Sequence, residues 1–184
     1  MCRNRGELHL SRSSGTVTSR HTSMVVIVMG VSGAGKTTIG RMLANSLEWE
    51  FLDGDDLHPA ANREKIARGG ALSDVDRIPW LIAIRAQIDR YLAAGRNAVI
   101  ACSALKKSYR KILLFDLERI RLVWLDGTRE LIEQRIAERR GHFMPAELLA
   151  SQFADLEPPG CAIRIDVTGA PAAIVSELRR ELGV

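Results

Sequence analysis

The chain has 184 residues, of which 46% are hydrophobic and 26% are charged, which are the proportions of one ordinary globular domain. Its net charge of +4 comes mostly from residues 1–23, where four arginines and one glutamate give +3 and leave only +1 for residues 24–184. A nearly neutral domain excludes a basic nucleic-acid-binding face, and no apolar run approaches the ~18 residues of a membrane span.

Three cysteines, Cys2, Cys102 and Cys161, are widely spaced and form no C-x-x-C pair. An odd, scattered set indicates a reducing compartment such as the cytoplasm, and no structural zinc site. Cys102 and Cys161 lie in apolar segments typical of strands. We therefore expect both to be small core residues.

Residues 1–23 are rich in Ser, Thr and Arg, poor in acidic residues and without apolar periodicity. This composition resembles an organelle transit peptide. It also fits a disordered extension, or an upstream start codon with Met24 as the true first residue. Because Met24 stands at the start of the first predicted strand, we favour the last two interpretations. We expect a disordered extension over 1–23 and a single domain over 24–184.

Short apolar runs alternate with longer amphipathic ones along this domain. The short runs predict strands at 24–29, 49–52, 97–102, 120–125 and 161–167. The longer runs predict helices at 36–47, 59–68, 77–94, 106–115, 128–139, 145–156 and 171–182. Such alternation indicates a parallel sheet with helices on both faces. Ligands of these sheets bind beyond the carboxyl ends of the strands, where three of the four loops that follow the first four strands are polar.

The apolar residues 24–29 run into Gly30-Val31-Ser32-Gly33-Ala34-Gly35-Lys36-Thr37, which matches the phosphate-binding pattern G-x-x-x-x-G-K-S/T at every fixed position. Glycines let backbone N–H groups curl around an anion, and the next helix presents the positive end of its dipole to the same phosphates. The required context, a buried strand before the loop and a helix after it, is predicted here. We expect these residues and Thr38 to bind a nucleoside triphosphate.

Two residues of this loop and the acidic turn after the second strand could carry chemistry. Lys36 can reach the β- and γ-phosphates as a catalytic residue, and the Thr37 hydroxyl can ligate Mg²⁺. The acidic turn contains Asp53, Asp55 and Asp56, which an ordinary acidic turn or a helix cap by Asp56 would also explain. Phosphoryl transfer needs such carboxylates, so we assign Asp53 to Mg²⁺ and Asp55 to orienting and deprotonating the acceptor hydroxyl.

Arg77 and Lys106 are candidate cations of an acceptor pocket. Arg77 lies in the acidic segment 73–81, where Pro79 suits the first turn of a helix. Arg77 can form a surface salt bridge with neighbouring aspartates or bind a substrate carboxylate bidentately, and the sequence leaves both open. Lys106 follows a strand end directly, so it is a candidate for contact with the substrate or the transferred phosphate.

Arginines cluster again near the end of the fifth predicted helix. Arg135 and Arg139 are four residues apart and share one helical face, which by default is a charged surface. In a phosphotransferase, a hinged Arg-rich segment can close over the triphosphate, exclude water and stabilise transferring charge. We expect a lid over 135–146, in which Arg135 binds nucleotide, Arg139 is catalytic and His142 donates to an acid or polyol.

Ordered motifs along the chain resemble those of gluconokinases: F-L-D-G-D-D-L-H-P-x-x-N from Phe51, L-x-D-x-D-R-x-P-W-L from Leu72, A-C-S-A-L-K-x-x-Y-R from Ala101, R-x-G-H-F-M-P from Arg139 and L-L-x-S-Q-F-x-x-L-E-P from Leu148. With the phosphate-binding loop they cover nearly all of the chain from Met24 onward. Each motif is weak alone, whereas their ordered combination is specific. The departures are small: Ala34 and Thr37 stand where the family often has Ser, and the link 158–160 looks short.

The resemblance implies an ATP- and Mg²⁺-dependent kinase that converts D-gluconate to 6-phospho-D-gluconate. It implies a nucleoside-monophosphate-kinase-like α/β fold in three layers, with a five-stranded parallel sheet in the order 2-3-1-4-5, a mobile lid and a homodimeric assembly. A small polyol acid needs cations for its carboxylate and hydrogen-bonding groups for its hydroxyls. The candidate substrate-binding residues are Asp55, His58, Asn62, Arg63, Arg77, Lys106, Arg110 and His142.

Two other classes of function share the phosphate-binding loop. A related small-molecule kinase, such as one acting on shikimate, would also take a hydroxyl-bearing acid. A nucleotide-dependent switch or ATPase would hydrolyse nucleotide without an acceptor, and a guanine-specific one would carry an N-K-x-D motif, which the sequence lacks. We therefore favour gluconate as the acceptor.

Overall fold

The computed structural model describes residues 23–138 and 146–184. The predicted extension over 1–23 lies outside these residues except for Ser23, and Arg139 and His142 also lie outside them. Ser23 is buried, and its hydroxyl donates to the Leu92 carbonyl at 3.3 Å.

Five strands form one sheet in which every neighbouring pair is parallel. The strands are β1 (Val25–Met29), β2 (Glu50–Asp53), β3 (Ala98–Ala101), β4 (Ile120–Asp126) and β5 (Ile163–Asp166). Their order, β2-β3-β1-β4-β5, confirms the predicted topology. Because β1 and β3 are adjacent and β2 lies beside β3, the loops after these three strands meet at one edge of the sheet.

Seven helices cover the two faces of the sheet within the described parts of the chain. They are α1 (Lys36–Leu47), α2 (Ala60–Ala67), α3 (Asp74–Ala93), α4 (Lys107–Leu113), α5 (Arg129–Glu138), α6 (Ala146–Asp155) and α7 (Pro171–Leu182). A short 3₁₀ turn, Gly54–Leu57, follows β2. Among these helices none has the length and apolar character that crossing a bilayer requires.

The central strand β1 is completely buried and divides the core into two layers. Val26 and Val28 belong to the layer that includes α1 and α7, whereas Val25, Ile27 and Met29 belong to the layer that includes α3 and α4. This alternation follows from the pleat of a strand, which points successive side chains to opposite faces. The rigid end of β1 positions the phosphate-binding loop that begins at Gly30.

Helix α3 begins three residues before its predicted start at residue 77, so the expectation that Pro79 lies in the first turn is wrong. Ser73 caps the helix: its hydroxyl accepts from the Asp76 amide at 3.2 Å, and the Asp76 carboxylate accepts from the Ser73 amide at 2.8 Å. This reciprocal capping box starts the helix at Asp74, before the predicted residue 77. Pro79 therefore stands inside the helix, where it leaves the carbonyl of Val75 without its usual donor.

The prediction that both later cysteines are core residues holds for Cys102 and is wrong for Cys161. Cys102 directly follows β3 and is fully buried, and burial raises the pKa of its thiol to about 12. Cys161 is exposed because β5 begins only at Ile163 and is an edge strand with a neighbour on one side. Apolar neighbours in sequence therefore did not imply burial.

Candidate active site

The phosphate-binding loop depends on glycine at three positions. Gly30, Gly33 and Gly35 have φ values of +148°, +83° and +96°, a region that side chains disfavour. A Cβ on Gly33 would also lie 2.8 Å from a side-chain carbon of Ile136, because α5 packs against the loop. The loop therefore leads into the N-terminus of α1 with a backbone that only glycine tolerates, which is the geometry an anion cradle needs.

Lys36 opens α1 and turns back over this loop. Its Nζ donates to the Val31 carbonyl at 3.0 Å. Burial lowers the pKa of Lys36, while the charges of Asp55 and Asp53 act in the opposite direction. The ammonium thus lies between the loop and the acidic turn, where a transferring phosphate would be held.

Thr37 and Asp53, the predicted Mg²⁺ ligands, lie in direct contact. The Thr37 hydroxyl donates to Asp53 Oδ2 at 2.8 Å, and Asp53 Oδ1 accepts from the Asp55 amide at 3.1 Å. Mg²⁺ prefers oxygen ligands and is usually held by one or two carboxylates together with substrate phosphates. The donor set of Thr37 and Asp53 therefore fits this ion.

Asp55 lies in the 3₁₀ turn and is exposed. The surrounding protein partly desolvates this carboxylate and raises its pKa, whereas the charge of Lys36 lowers it. A carboxylate that holds a proton more strongly than usual is a better base. Both the position and the environment of Asp55 suit proton removal from an acceptor hydroxyl.

A buried aromatic residue, Trp80, holds the acidic turn in place. Its Nε1 donates to the Gly54 carbonyl at 2.6 Å, and its ring stacks on His58 with centroids 4.4 Å apart. Sequence reasoning missed Trp80, although it belongs to one of the quoted motifs. His58 is buried, and desolvation lowers its pKa, so the imidazole is mainly neutral near pH 7.

Arg77 and Lys106 come together around Tyr109. Arg77 Nη1 donates to the Tyr109 hydroxyl at 2.9 Å and lies 3.3 Å from Asp155 Oδ2. Lys106 Nζ lies 2.7 Å from Asp74 Oδ1 and 3.4 Å from Asp155 Oδ1. The charges of both Asp55 and Arg77 affect the pKa of His58, so the imidazole lies within electrostatic range of the predicted base and of this cationic cluster.

Three other predicted site arginines donate to backbone carbonyls. The buried Arg110 donates from Nη1 to the carbonyls of Ala104 at 3.0 Å and Leu105 at 2.6 Å. Arg63 Nη1 donates to the His58 carbonyl at 2.5 Å, and Arg135 Nη2 donates to the Val167 carbonyl. Arg110 therefore supports the loop after β3 from within, a structural role that its place in the motif did not suggest.

Helix α6 also reaches the site, and sequence reasoning gave it no role there. Gln152 accepts from the Ser32 amide at 2.7 Å and donates to the Ser32 hydroxyl at 3.0 Å. Just beyond the helix, a carboxylate oxygen of Glu157 accepts from the Lys107 amide at 2.5 Å. Both residues stand at specified positions of the last quoted motif, so the motif itself was the signal that could have found them. Asp155 occupies an unspecified position of the same motif.

Comparison with known proteins identifies the family of this site. An AAA domain model matches residues 25–159. A probable gluconokinase of Xenopus tropicalis is 44% identical over 177 residues, covering 86% of this chain and 93% of its own length. The chain belongs to the gluconokinase family. It is therefore a P-loop kinase, and the resemblance seen in its ordered motifs is confirmed.

Solved structures with similar folds support the same family assignment. A sugar kinase from Janibacter sp. HTCC2649 superposes with a TM-score of 0.81 at 39% identity, covering 88% of this chain and 95% of that one. A gluconokinase from Sinorhizobium meliloti 1021 superposes with a TM-score of 0.75 at 36% identity, covering 88% and 97%. The family relation thus covers 88% of the chain in both comparisons.

Proposed function

We propose that this chain transfers the γ-phosphate of ATP to the 6-hydroxyl of D-gluconate and releases ADP and 6-phospho-D-gluconate. The observation that carries the proposal is the set of groups at the carboxyl edge of the sheet. Lys36 and Asp55 lie close enough for each charge to shift the pKa of the other, His58 is influenced by both Asp55 and Arg77, and Asp155 links Arg77 to Lys106. A hydroxyl acid fits these groups, with its alcohol near Asp55 and its acid group at the cations.

Nucleotide is expected to bind on the backbone amides of 30–38, with the dipole of α1 behind its phosphates. Thr37 and Asp53 would hold Mg²⁺, which would offset the negative charge that develops on the phosphates. Lys36 would exchange its bond to the Val31 carbonyl for the β- and γ-phosphates. From the arginine cluster in the predicted lid, Arg135 and Arg139 would add positive charge over the nucleotide, with Arg139 acting in catalysis.

Asp55 would accept a hydrogen bond from the acceptor hydroxyl and align its oxygen with the γ-phosphorus. Phosphoryl transfer passes through a loose transition state, so positioning and charge stabilisation matter more than early proton removal. As the new P–O bond forms, the hydroxyl becomes strongly acidic and its proton passes to Asp55. Lys36, beside Asp55, would stabilise the negative charge that moves toward the β-phosphate.

The acceptor would be recognised by its acid group and by its hydroxyls separately. Arg77 and Lys106 offer several N–H donors for the carboxylate. His58 is mainly neutral and so can both donate and accept hydrogen bonds with hydroxyl groups. Arg63 and His142 stay predictions as substrate contacts, whereas we expect the buried Arg110 to support the loop after β3 through its bonds to two carbonyls. We also propose a homodimer, as the resemblance implies, which light scattering on the purified protein tests.

A coupled ADP-release assay tests the reaction, with D-gluconate, shikimate and adenylylsulfate as alternative acceptors. We expect turnover with gluconate alone. Asp55→Asn should lower kcat by about 10²- to 10⁴-fold, the usual contribution of a general base. Asp56→Asn is the matched control, because it removes the adjacent exposed carboxylate of the same turn and should leave kcat nearly unchanged. Turnover of shikimate instead of gluconate would refute the acceptor, and an active Asp55→Asn would refute the role of Asp55.

A further inference from the structure

Asp155 places one carboxylate across the two cations proposed to bind the acceptor. Its Oδ2 lies 3.3 Å from Arg77 Nη1, and its Oδ1 lies 3.4 Å from Lys106 Nζ. Each oxygen therefore faces a different cation, as the two oxygens of a bound carboxylic acid would. A residue of the chain itself thus contacts both cations that are proposed to bind the acid group.

Contacts around the end of α6 keep Asp155 at this position. One turn earlier, Gln152 exchanges two hydrogen bonds with Ser32 of the phosphate-binding loop. Two residues later, Glu157 donates its amide to the Leu105 carbonyl at 3.1 Å and accepts from the Lys107 amide. Because these contacts hold the chain on both sides of Asp155, its carboxylate stays beside Arg77 and Lys106.

The ion pairs of Asp155 have the character of exchangeable contacts. Both distances exceed the 2.7–2.9 Å typical of charge-assisted N–H···O bonds, whereas Lys106 meets Asp74 at 2.7 Å. The side chains of Arg77, Lys106 and Asp155 are 16%, 25% and 31% exposed, so solvent and small molecules reach them. An incoming carboxylate at optimal distance can therefore replace Asp155 on both cations.

We propose that Asp155 is a specificity-determining residue, an internal carboxylate that competes with the acceptor's acid group for Arg77 and Lys106. An acid with no other contacts would gain little by displacing it. A hydroxyl acid has further partners near His58 and Asp55, and these contacts provide the surplus binding energy. Asp155 thus weakens binding of every acid by the same factor and keeps simple anions out of the site. This inference rests on the proposed function, since it takes the two cations as the acid subsite.

Steady-state kinetics of Asp155→Asn test this competition. Without the charge of Asp155, and with Asp74 still paired to Lys106 at 2.7 Å, the two cations should bind gluconate more tightly. KM should fall by roughly three- to tenfold with kcat unchanged. Acetate, a carboxylate without hydroxyls, should become a stronger competitive inhibitor by the same factor. Inhibition by D-glucitol, the neutral polyol of the same carbon skeleton, should stay as in the wild type. Asp155→Glu should restore wild-type KM because it restores the carboxylate.

Glu50→Gln is the matched control, because it removes an ion-paired carboxylate at the opposite end of the sheet, 3.0 Å from Arg96. It should change none of these values. Should Asp155→Asn fold poorly, Asp155→Ser carries the same prediction. An unchanged or higher KM for gluconate in a folded variant would overturn the proposal, because Asp155 would then be supporting the cations rather than competing for them. An equal shift with D-glucitol would overturn it too.

The experiments distinguish failure of the proposed function from failure of this inference. A wild-type enzyme that does not turn over gluconate refutes the proposed function, whatever Asp155 does. Calorimetric titration of gluconate and acetate into the wild type and Asp155→Asn then still decides the inference. Tighter binding of both acids to the variant supports competition at the cations, and equal binding to both proteins contradicts it.

Discussion

Gly54→Ala tests whether the acidic turn is held in place by close packing. An ideal Cβ on Gly54 would lie only 2.6 Å from the Ala101 carbonyl oxygen and 3.1 Å from Ile84 Cδ1. Because such carbon–oxygen contacts are essentially never shorter than 3.0 Å, the turn must move by about 0.4 Å. It cannot move freely, since Trp80 Nε1 holds the Gly54 carbonyl at 2.6 Å. The strain should cost about 1–3 kcal/mol of folding free energy.

The displacement reaches the chemistry because Asp53 and Asp55 flank Gly54. A misplacement of ~1 Å costs ~10²-fold in rate, so a shift of about 0.4 Å predicts a loss of roughly five- to tenfold in kcat/KM. The assay is coupled ADP release, run well below the melting temperature that a thermal melt gives for each variant. Gly160→Ala is the matched control, because no atom lies within 4 Å of its added Cβ. Wild-type kcat/KM in Gly54→Ala, or an equal loss in Gly160→Ala, would refute the reasoning.

Two further predictions concern Asp55 and Arg110. The raised pKa of Asp55 means that the folded protein binds its proton more tightly than the unfolded chain, so its contribution to stability is lost as pH rises through that pKa. Asp55→Asn should therefore be more stable than the wild type at pH 7, by less than about 1 kcal/mol of unfolding free energy because solvent reaches the carboxylate. The difference in stability should disappear below about pH 4, where the carboxyl is protonated in both the folded and the unfolded wild type. A wild type with the higher melting temperature at pH 7 would contradict this. Arg110→Met should lose about 1.5–3 kcal/mol in urea unfolding, because it strips two buried carbonyls of a charged donor, while KM for gluconate changes less than about twofold. A large rise in KM without loss of stability would instead make Arg110 a substrate contact.

Local patterns were enough to predict most of the fold. The alternation of apolar and amphipathic runs predicted five strands and seven helices, and glycine spacing predicted the phosphate-binding loop. The order of the strands came from the family resemblance, because alternation alone does not say which strands are neighbours. Predicted helix boundaries were wrong where a single side chain sets the boundary. At Ser73, for example, the capping box starts α3 earlier than predicted.

The site was predictable only in part, for a physical reason. Residue type and position beside a strand end were enough to bring Thr37, Asp53 and Lys36 together. Contacts between distant segments were not predictable: Gln152 and Ser32 are 120 positions apart, and Asp155 and Arg77 are 78 apart. A local sequence pattern does not show which partner the end of a long side chain contacts. Arg110 is an example, because it donates to carbonyls of its own loop.

The hydrogen bonds of the phosphate-binding loop have a consequence for the energetics of nucleotide binding. Lys36 is satisfied by the Val31 carbonyl, Thr37 by Asp53 and the Ser32 amide by Gln152. Each of these three polar groups therefore has a partner within the protein. Binding becomes an exchange of one satisfied arrangement for another rather than the ordering of a loose loop. The entropy cost of ordering this loop is incurred when the chain folds, so it contributes little to the free-energy cost of binding the nucleotide.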